Sequence, residues 1–224
     1  GPEADRHGRQ RREMPARARA WRGLRDQSDH CFAIRSAQPQ VLAAAERQQE
    51  ADWRRFLLAR SAELRPGARL VSLTAARHPG RTGWAWVGDT MWSTLVAMAQ
   101  AALISPEELQ RITIPTVPLL LSQIEQPFAD GAFAGLQLLR AEIMDAPDPY
   151  WPVYQASGDA AQLGRSLAGM CRGFAGPTML AALDPGHDRE VLLDDYFDRL
   201  ASALAATAQR HEHYIAIIVL TKTE

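Results

Sequence analysis

The sequence predicts an α/β protein with helices packed on a sheet, and three observations carry that reading. A long amphipathic stretch over 40–65 is stopped by Pro66 and Gly67, and the β-branched run Arg69–Thr74 follows at once. A second apolar, β-branched run, Tyr214–Thr221, closes the chain behind another amphipathic helix. Composition is ordinary for a globular protein, with 46% hydrophobic and 23% charged residues among 224. A helix, a tight turn and a strand in that order form the unit that covers a largely parallel sheet.

Each element has a local reason. Residues 30–35, around Cys31, Phe32 and Ile34, are a short apolar run after Asp29 and read as a buried strand. In the helix over 40–65, Leu42, Ala45, Trp53, Phe56, Leu57 and Leu64 recur at three- and four-residue steps, with Arg and Glu between them. The strand over 69–74 leads into a loop over 75–90, marked by Pro79, Gly80, Gly83 and Gly88 and carrying Trp84 and Trp86. An apolar helix is expected over 91–103. Ser105 with Pro106, Glu107 and Glu108 has the cap, N1 proline and acidic first turn of a short helix to Arg111. Pro115 and Pro118 hold 113–118 extended. Ser122 is expected to cap a short helix ending near Phe128. A strand follows over 136–143, and 145–149 is a turn. A helix over 158–182 carries a kink or break at Pro177. Asp188–Arg210 is an amphipathic helix, and 214–221 is the last, buried strand.

Charge and composition exclude several function classes. The formal net charge is −1, so no basic surface points to nucleic acid. No apolar run reaches the ~18–20 residues of a bilayer span, and no signal peptide is visible. A cytoplasmic protein that binds neither nucleic acid nor membrane is expected. Residues 1–25 hold eight Arg against Glu3, Asp5 and Glu13, an arm that Trp21 and Leu24 would anchor; Met14 offers an internal start. Cys31 and Cys171 are too few for a disulfide scaffold and lack metal-ligand spacing. His30 beside Cys31 falls on opposite strand faces, which argues against a thiol–base pair. His211 and His213 would share a strand face, but with no third ligand they read as charge complements at a helix end. His187 falls in an exposed loop, and Arg172 reads as a structural partner for an acid.

A family resemblance rests on an ordered set of strings. The first runs from Asp52 and Trp53 through Phe56, Leu57, Arg60, Glu63, Leu64, Pro66 and Gly67 to Val71. The second is Met91, Trp92 and Leu95, followed by Ala102–Ser105 and Glu107–Leu109. Ile114 and Pro115 precede Ser122–Phe128; then come Arg172–Pro177 with Leu180, Asp195–Arg199 and Ile217–Lys222. Together, over about 28–222, they resemble the SABATH group of S-adenosylmethionine (SAM)-dependent carboxyl methyltransferases, which act on small acids. The resemblance implies a partial Rossmann-like methyltransferase sheet made of the C-terminal strands, the last one antiparallel, with a helical cap at about 84–132 inside a domain over 26–224. It places Met91, Trp92, Val117, Cys171, Phe174 and Tyr214 around an apolar cavity for a small hydrophobic carboxylic acid, and Asp89 at its mouth.

Two departures from the family pattern shape the functional expectation. No acidic-x-Gly-x-Gly string stands anywhere in the chain, so this chain alone is expected to bind no SAM. The family's His-Trp pair, whose Trp helps hold the substrate carboxylate, is replaced at Ala33 and Ile34. The reading is a methyltransferase-like protein unable to methylate by itself. A repurposed biosynthetic enzyme using the cavity without SAM, and a non-catalytic scaffold, stand as alternatives. The half-sheet would leave a parallel edge exposed at 30–35, so a homodimer, a partner chain or the Arg-rich arm is expected to cover it.

Overall fold

A computed structural model describes residues 29–114 and 116–223; the Arg-rich arm, with Met14, Trp21 and Leu24, lies outside the described residues. The helices are α1 (Pro39–Glu63), α2 (Ala85–Gln100), α3 (Pro106–Arg111), α4 (Leu121–Glu125), α5 (Trp151–Ser157), α6 (Ala160–Ala182) and α7 (Arg189–Ala206). The strands are β1 (Arg69–Ala76), β2 (Leu136–Asp145) and β3 (Tyr214–Lys222), in the sheet order β1-β3-β2.

The sheet is antiparallel throughout, which corrects the expectation of a largely parallel one. β3 is the reason. Its even-numbered residues Tyr214, Ala216, Ile218 and Leu220 are buried, and its odd-numbered residues Ile215, Ile217 and Val219 are apolar too. A strand apolar on both faces takes the centre, running against both neighbours. The turn that sets β1 beside it uses Gly67 at φ 79°, whose N–H donates to the Lys222 carbonyl at 2.7 Å, while Lys222 N–H donates to Ala68 at 2.9 Å.

Residues 30–35 are not a strand. Phe32 makes one parallel bridge to Ile114, and Ala33–Arg35 coil into a 3-10 turn. The Asp29 carboxylate accepts the Ser36 hydroxyl at 2.6 Å and the Ala37 N–H at 3.1 Å, which curls the chain into α1. The expected parallel edge at 30–35 therefore does not exist. The sheet edges are β1 and β2, and Leu119 bonds β1 only at its C-terminal end, through Ala75 and Arg77.

Among the described residues there are two large cores and a third, small cluster around Val41 and Val117. Trp53 and Leu57 of α1 pack on the even-numbered face of the sheet with Leu119, Ile124 and Ile218. Met91, Leu95 and Met98 of α2 pack against Leu167, Cys171 and Met179 of α6 and Tyr196 and Leu200 of α7. At the α6–α7 crossing, a Cβ on Gly164 would stand 2.1 Å from the Ala201 carbonyl oxygen, so only glycine permits this approach. Arg172 pairs with Asp194 across the same crossing at 2.6 Å.

Several boundaries move. α2 starts at Ala85 and takes in Trp86. Ser105 caps α3 as expected, and Glu108 completes the box. α4 starts at Leu121 and is entered through Gln123, whose side chain accepts the Leu120 N–H at 2.9 Å, so Ser122 is not the cap. α5 is an added helix, opened by Asp148 accepting the Tyr150 and Trp151 N–H groups and closed by Gly158 at φ 69°. α6 runs on through Pro177 without breaking. None of the described helices is long and apolar enough to cross a membrane.

Candidate functional site

The site forms where the end of β1, the start of α2 and the start of β3 meet. Gly83, at φ 78°, lets the β1–α2 loop pass over the Tyr214 ring; a Cβ there would lie 2.8 Å from Tyr214 Cδ2. The next residue, Trp84, is thereby set at the head of α2. Its indole stands edge-on to Phe174 of α6 at 5.3 Å, to His211 at 4.5 Å and to His213 at 5.3 Å. Phe32 closes the group, 6.5 Å from both Trp84 and Phe174. These rings, with Ile34, Ala75, Thr116 and Pro118, enclose a cavity of about 70 Å³ whose polar lining includes Thr82 and His213.

The polar groups of this cavity are neutral. Burial holds His213 below the usual imidazole range. Burial, with His213 beside it, takes His211 down to about 4. Thr82 Oγ1 and His211 Nε2 are buried without a hydrogen-bond partner among the described residues. α2 has no side-chain cap at Trp84. The positive end of a four-turn helix therefore opens beside the rings. Uncharged donors and a helix N-terminus on an aromatic wall suit a planar ligand with one anionic group.

The sequence-derived site residues fall in different places. Phe174 lines the cavity and is 39% exposed. Met91 and Cys171 have no exposed surface and lie in the helical core. Val117 is buried in a small cluster with Ala33, Val41 and Ala45. Tyr214 lies under the cavity floor, its hydroxyl donating to Glu212 at 3.1 Å. Trp92 is half-buried, 5.5 Å from the His30 ring. Asp89 is bound by Arg35 through two hydrogen bonds, at 3.0 and 2.6 Å, with His30 Nε2 at 3.4 Å. Arg35 is thus already neutralised. The residues that sequence reasoning left out are Phe32, Thr82, Trp84 and His213. The signal that could have found them is Trp84, standing directly after Gly83 and before a helix.

Other candidates carry less chemistry. Burial pushes the Cys171 thiol up to about 12 and the Cys31 thiol higher still, so neither is a nucleophile, although Cys31 Sγ lies 3.9 Å from His30 Nδ1. His211 and His213 are not helix-end charges, because α7 stops at Ala206 and both are held neutral. No cluster of three His, Cys, Asp or Glu among the described residues could hold a metal. A roomier hollow of about 480 Å³ runs between α1 and the edge of β1, but it is open and lined by Gln49, Asp52 and Arg55 beside Phe56.

The described residues do not fit SAM. The nearest thing to a strand–glycine turn–helix unit is β1, Gly80, Gly83 and α2. The space a cofactor would need beside Gly83 is filled by Tyr214. The adjacent strand β3 is antiparallel and ends at Lys222, and the described residue beyond it, Thr223, is no acid to take a ribose.

Comparison with known proteins gives the family. The chain is 28% identical over 199 residues to indole-3-acetate O-methyltransferase 1 of Oryza sativa subsp. japonica, a match covering 83% of this chain and 46% of that protein. It therefore spans about half the length of this curated relative. Its fold is similar to that of a loganic acid methyltransferase solved with SAH, with a TM-score of 0.68 at 15% identity over 90% of this chain and 55% of the other. The profile of the SAM dependent carboxyl methyltransferases matches residues 14–223, and the chain belongs to that family.

Proposed function

We propose that this chain is the acid-binding part of a SAM-dependent carboxyl methyltransferase, and that by itself it neither binds SAM nor transfers a methyl group. The three-ring wall of Phe32, Trp84 and Phe174 is the observation that carries this reading. At about 70 Å³ the cavity holds one end of a planar hydrophobic acid such as indole-3-acetate, the acid in the name of the rice relative, and the rest of the ligand would lie outside it against the open Phe174 side. A carboxylic acid is already ionised at neutral pH, so the chain has no proton to remove. Its work is to bind and orient. The Thr82 hydroxyl, the His213 N–H and the first turn of α2 supply neutral donors for the carboxylate. Ile34, where the family has Trp, leaves room that those donors fill. The sheet is read as the C-terminal part of a Rossmann-like sheet, on the ordered strings and the position of the antiparallel last strand.

The test is calorimetry on the chain with indole-3-acetate and with SAM in separate titrations. The acid is expected to bind and SAM to give no heat. Tight SAM binding, in the low micromolar range, would overturn the reading of an incomplete methyltransferase. Absence of acid binding would remove the cavity's assigned role.

A further inference from the structure

His30, Asp89 and Trp92 meet next to Phe32 without lining the cavity themselves. His30 is buried, and its Nδ1 accepts the Phe32 N–H at 3.0 Å, the side-chain bond to the amide two residues on that an Asx turn makes. Its Nε2 faces Asp89 Oδ1 at 3.4 Å, and its ring lies 5.5 Å from that of Trp92. Asp89 is in turn clamped by Arg35 through two hydrogen bonds. Phe32 is seated on α2 where Gly88 has no side chain, since a Cβ there would stand 3.4 Å from Phe32 Cδ2. One helix thus supplies both the floor under the Phe32 ring and, in the next residue, the carboxylate that faces His30.

Given the reading of the aromatic wall as an acid-binding site, on which this rests, we propose that His30 is a positioning residue of that site: its Nδ1 lone pair fixes the Phe32 backbone, and with it the ring that Phe32 contributes to the wall, while the Arg35–Asp89 pair fixes the imidazole tautomer that can do this. An acceptor at Nδ1 leaves the proton of a neutral imidazole on Nε2, and Nε2 is the nitrogen turned toward a carboxylate oxygen. A protonated ring would carry hydrogen on both nitrogens and would have to release the Phe32 N–H. Burial holds His30 below the usual imidazole range, with Arg35 acting the same way and Asp89 and Asp29 opposing them, so the ring is neutral at pH 7.5. Arg35 has a second effect. Asp89 lies about one turn inside α2, where a free carboxylate would repel an anion at the helix end, and the bidentate pair with Arg35 cancels that charge.

The experiment combines calorimetry with indole-3-acetate at pH 7.5 and NMR of the imidazole nitrogens, on the full 224-residue chain and three variants. In the native chain His30 is expected as the neutral Nε2–H tautomer. His30→Leu strands the Phe32 N–H and is expected to weaken acid binding about tenfold. His30→Asn sets its amide oxygen where Nδ1 stood, remakes the bond to the Phe32 N–H, and is expected to return the affinity to within about threefold of native. Asp89→Ala changes a half-exposed side chain, is expected to weaken binding roughly fivefold, and keeps the test open should His30→Leu fail to fold. A native His30 with its proton on Nδ1, or with both nitrogens protonated, would overturn the proposal. So would His30→Leu or Asp89→Ala binding the acid as tightly as the native chain, or His30→Asn binding as weakly as His30→Leu. Any of these results beside a native chain that binds the acid strikes this proposal alone, whereas a native chain that binds no acid overturns it together with the assignment of the cavity.

Discussion

Phe174 keeps 39% of its surface in the open while touching Trp84 and Phe32. A ring in that position contributes more to what it faces than to the core. Phe174→Ala is therefore expected to cost about 1 kcal/mol of stability, well under the ~3–5 kcal/mol of a buried Phe, yet to abolish acid binding by calorimetry. Met91→Ala should do the reverse, because Met91 is fully buried and its Tyr196-facing carbonyl is part of the core. A loss of about 2–5 kcal/mol in urea unfolding is expected there, with acid affinity unchanged if the fold is held at saturating stability. Equal effects of the two substitutions on binding would refute the assignment of the cavity. At this scale sequence reading places Phe174 and misses Trp84 and Phe32. Whether an aromatic ring lines a void or fills a core depends on which neighbours arrive from 50 to 140 residues away, and helical spacing cannot report that.

The elements were more legible than the residues, and the exceptions have physical causes. α3 could be read because a capping box is local: Ser105 and Glu108 satisfy each other's backbone donors. α1, α7 and β3 could be read from their apolar periodicity. α5 was hidden because its opening depends on Asp148 taking two N–H groups, a turn motif lost among Pro147, Pro149 and Pro152. Pro177 misleads because α6, packed against its neighbours, continues through it where propensity predicts a kink or break. The residues 30–35 mislead most, since a short apolar run is strand-like until Asp29 captures the chain beyond it. The tightest constraint at this scale is the α6–α7 crossing. Gly164→Ala would drive a methyl group into the Ala201 carbonyl, which must push the helices apart. A loss of about 3 kcal/mol is expected, measured by urea unfolding. Gly169→Ala is the control, because a Cβ there meets nothing within 4 Å, and helix propensity should raise stability by up to about 1 kcal/mol.

At the scale of the whole molecule, the family was legible because its motifs recur in order, whereas the sheet's direction was not, because pairing partners are non-local. The same non-locality gathers three histidines, His30, His211 and His213, into partly or wholly buried places, all held below the usual imidazole range first by burial. This makes stability depend on pH with a definite sign. In the unfolded chain His211 titrates near ~6.5, while in the native protein it stays neutral down to about 4. Between those values the unfolded state binds a proton that the native state refuses, so stability is full above about pH 6.5 and declines as pH falls toward 4. The interval is worth up to about 3 kcal/mol for His211 at ~1.4 kcal/mol per pH unit. His30 and His213 act in the same direction. Urea unfolding at pH 7.5 and pH 5 should therefore show a clear loss on acidification. His211→Phe keeps a ring on Trp84 without the titrating group, and should lose distinctly less over the same interval. An identical loss in both proteins would show that His211 titrates alike in the native and unfolded states, and would leave the acid sensitivity to His30 and His213.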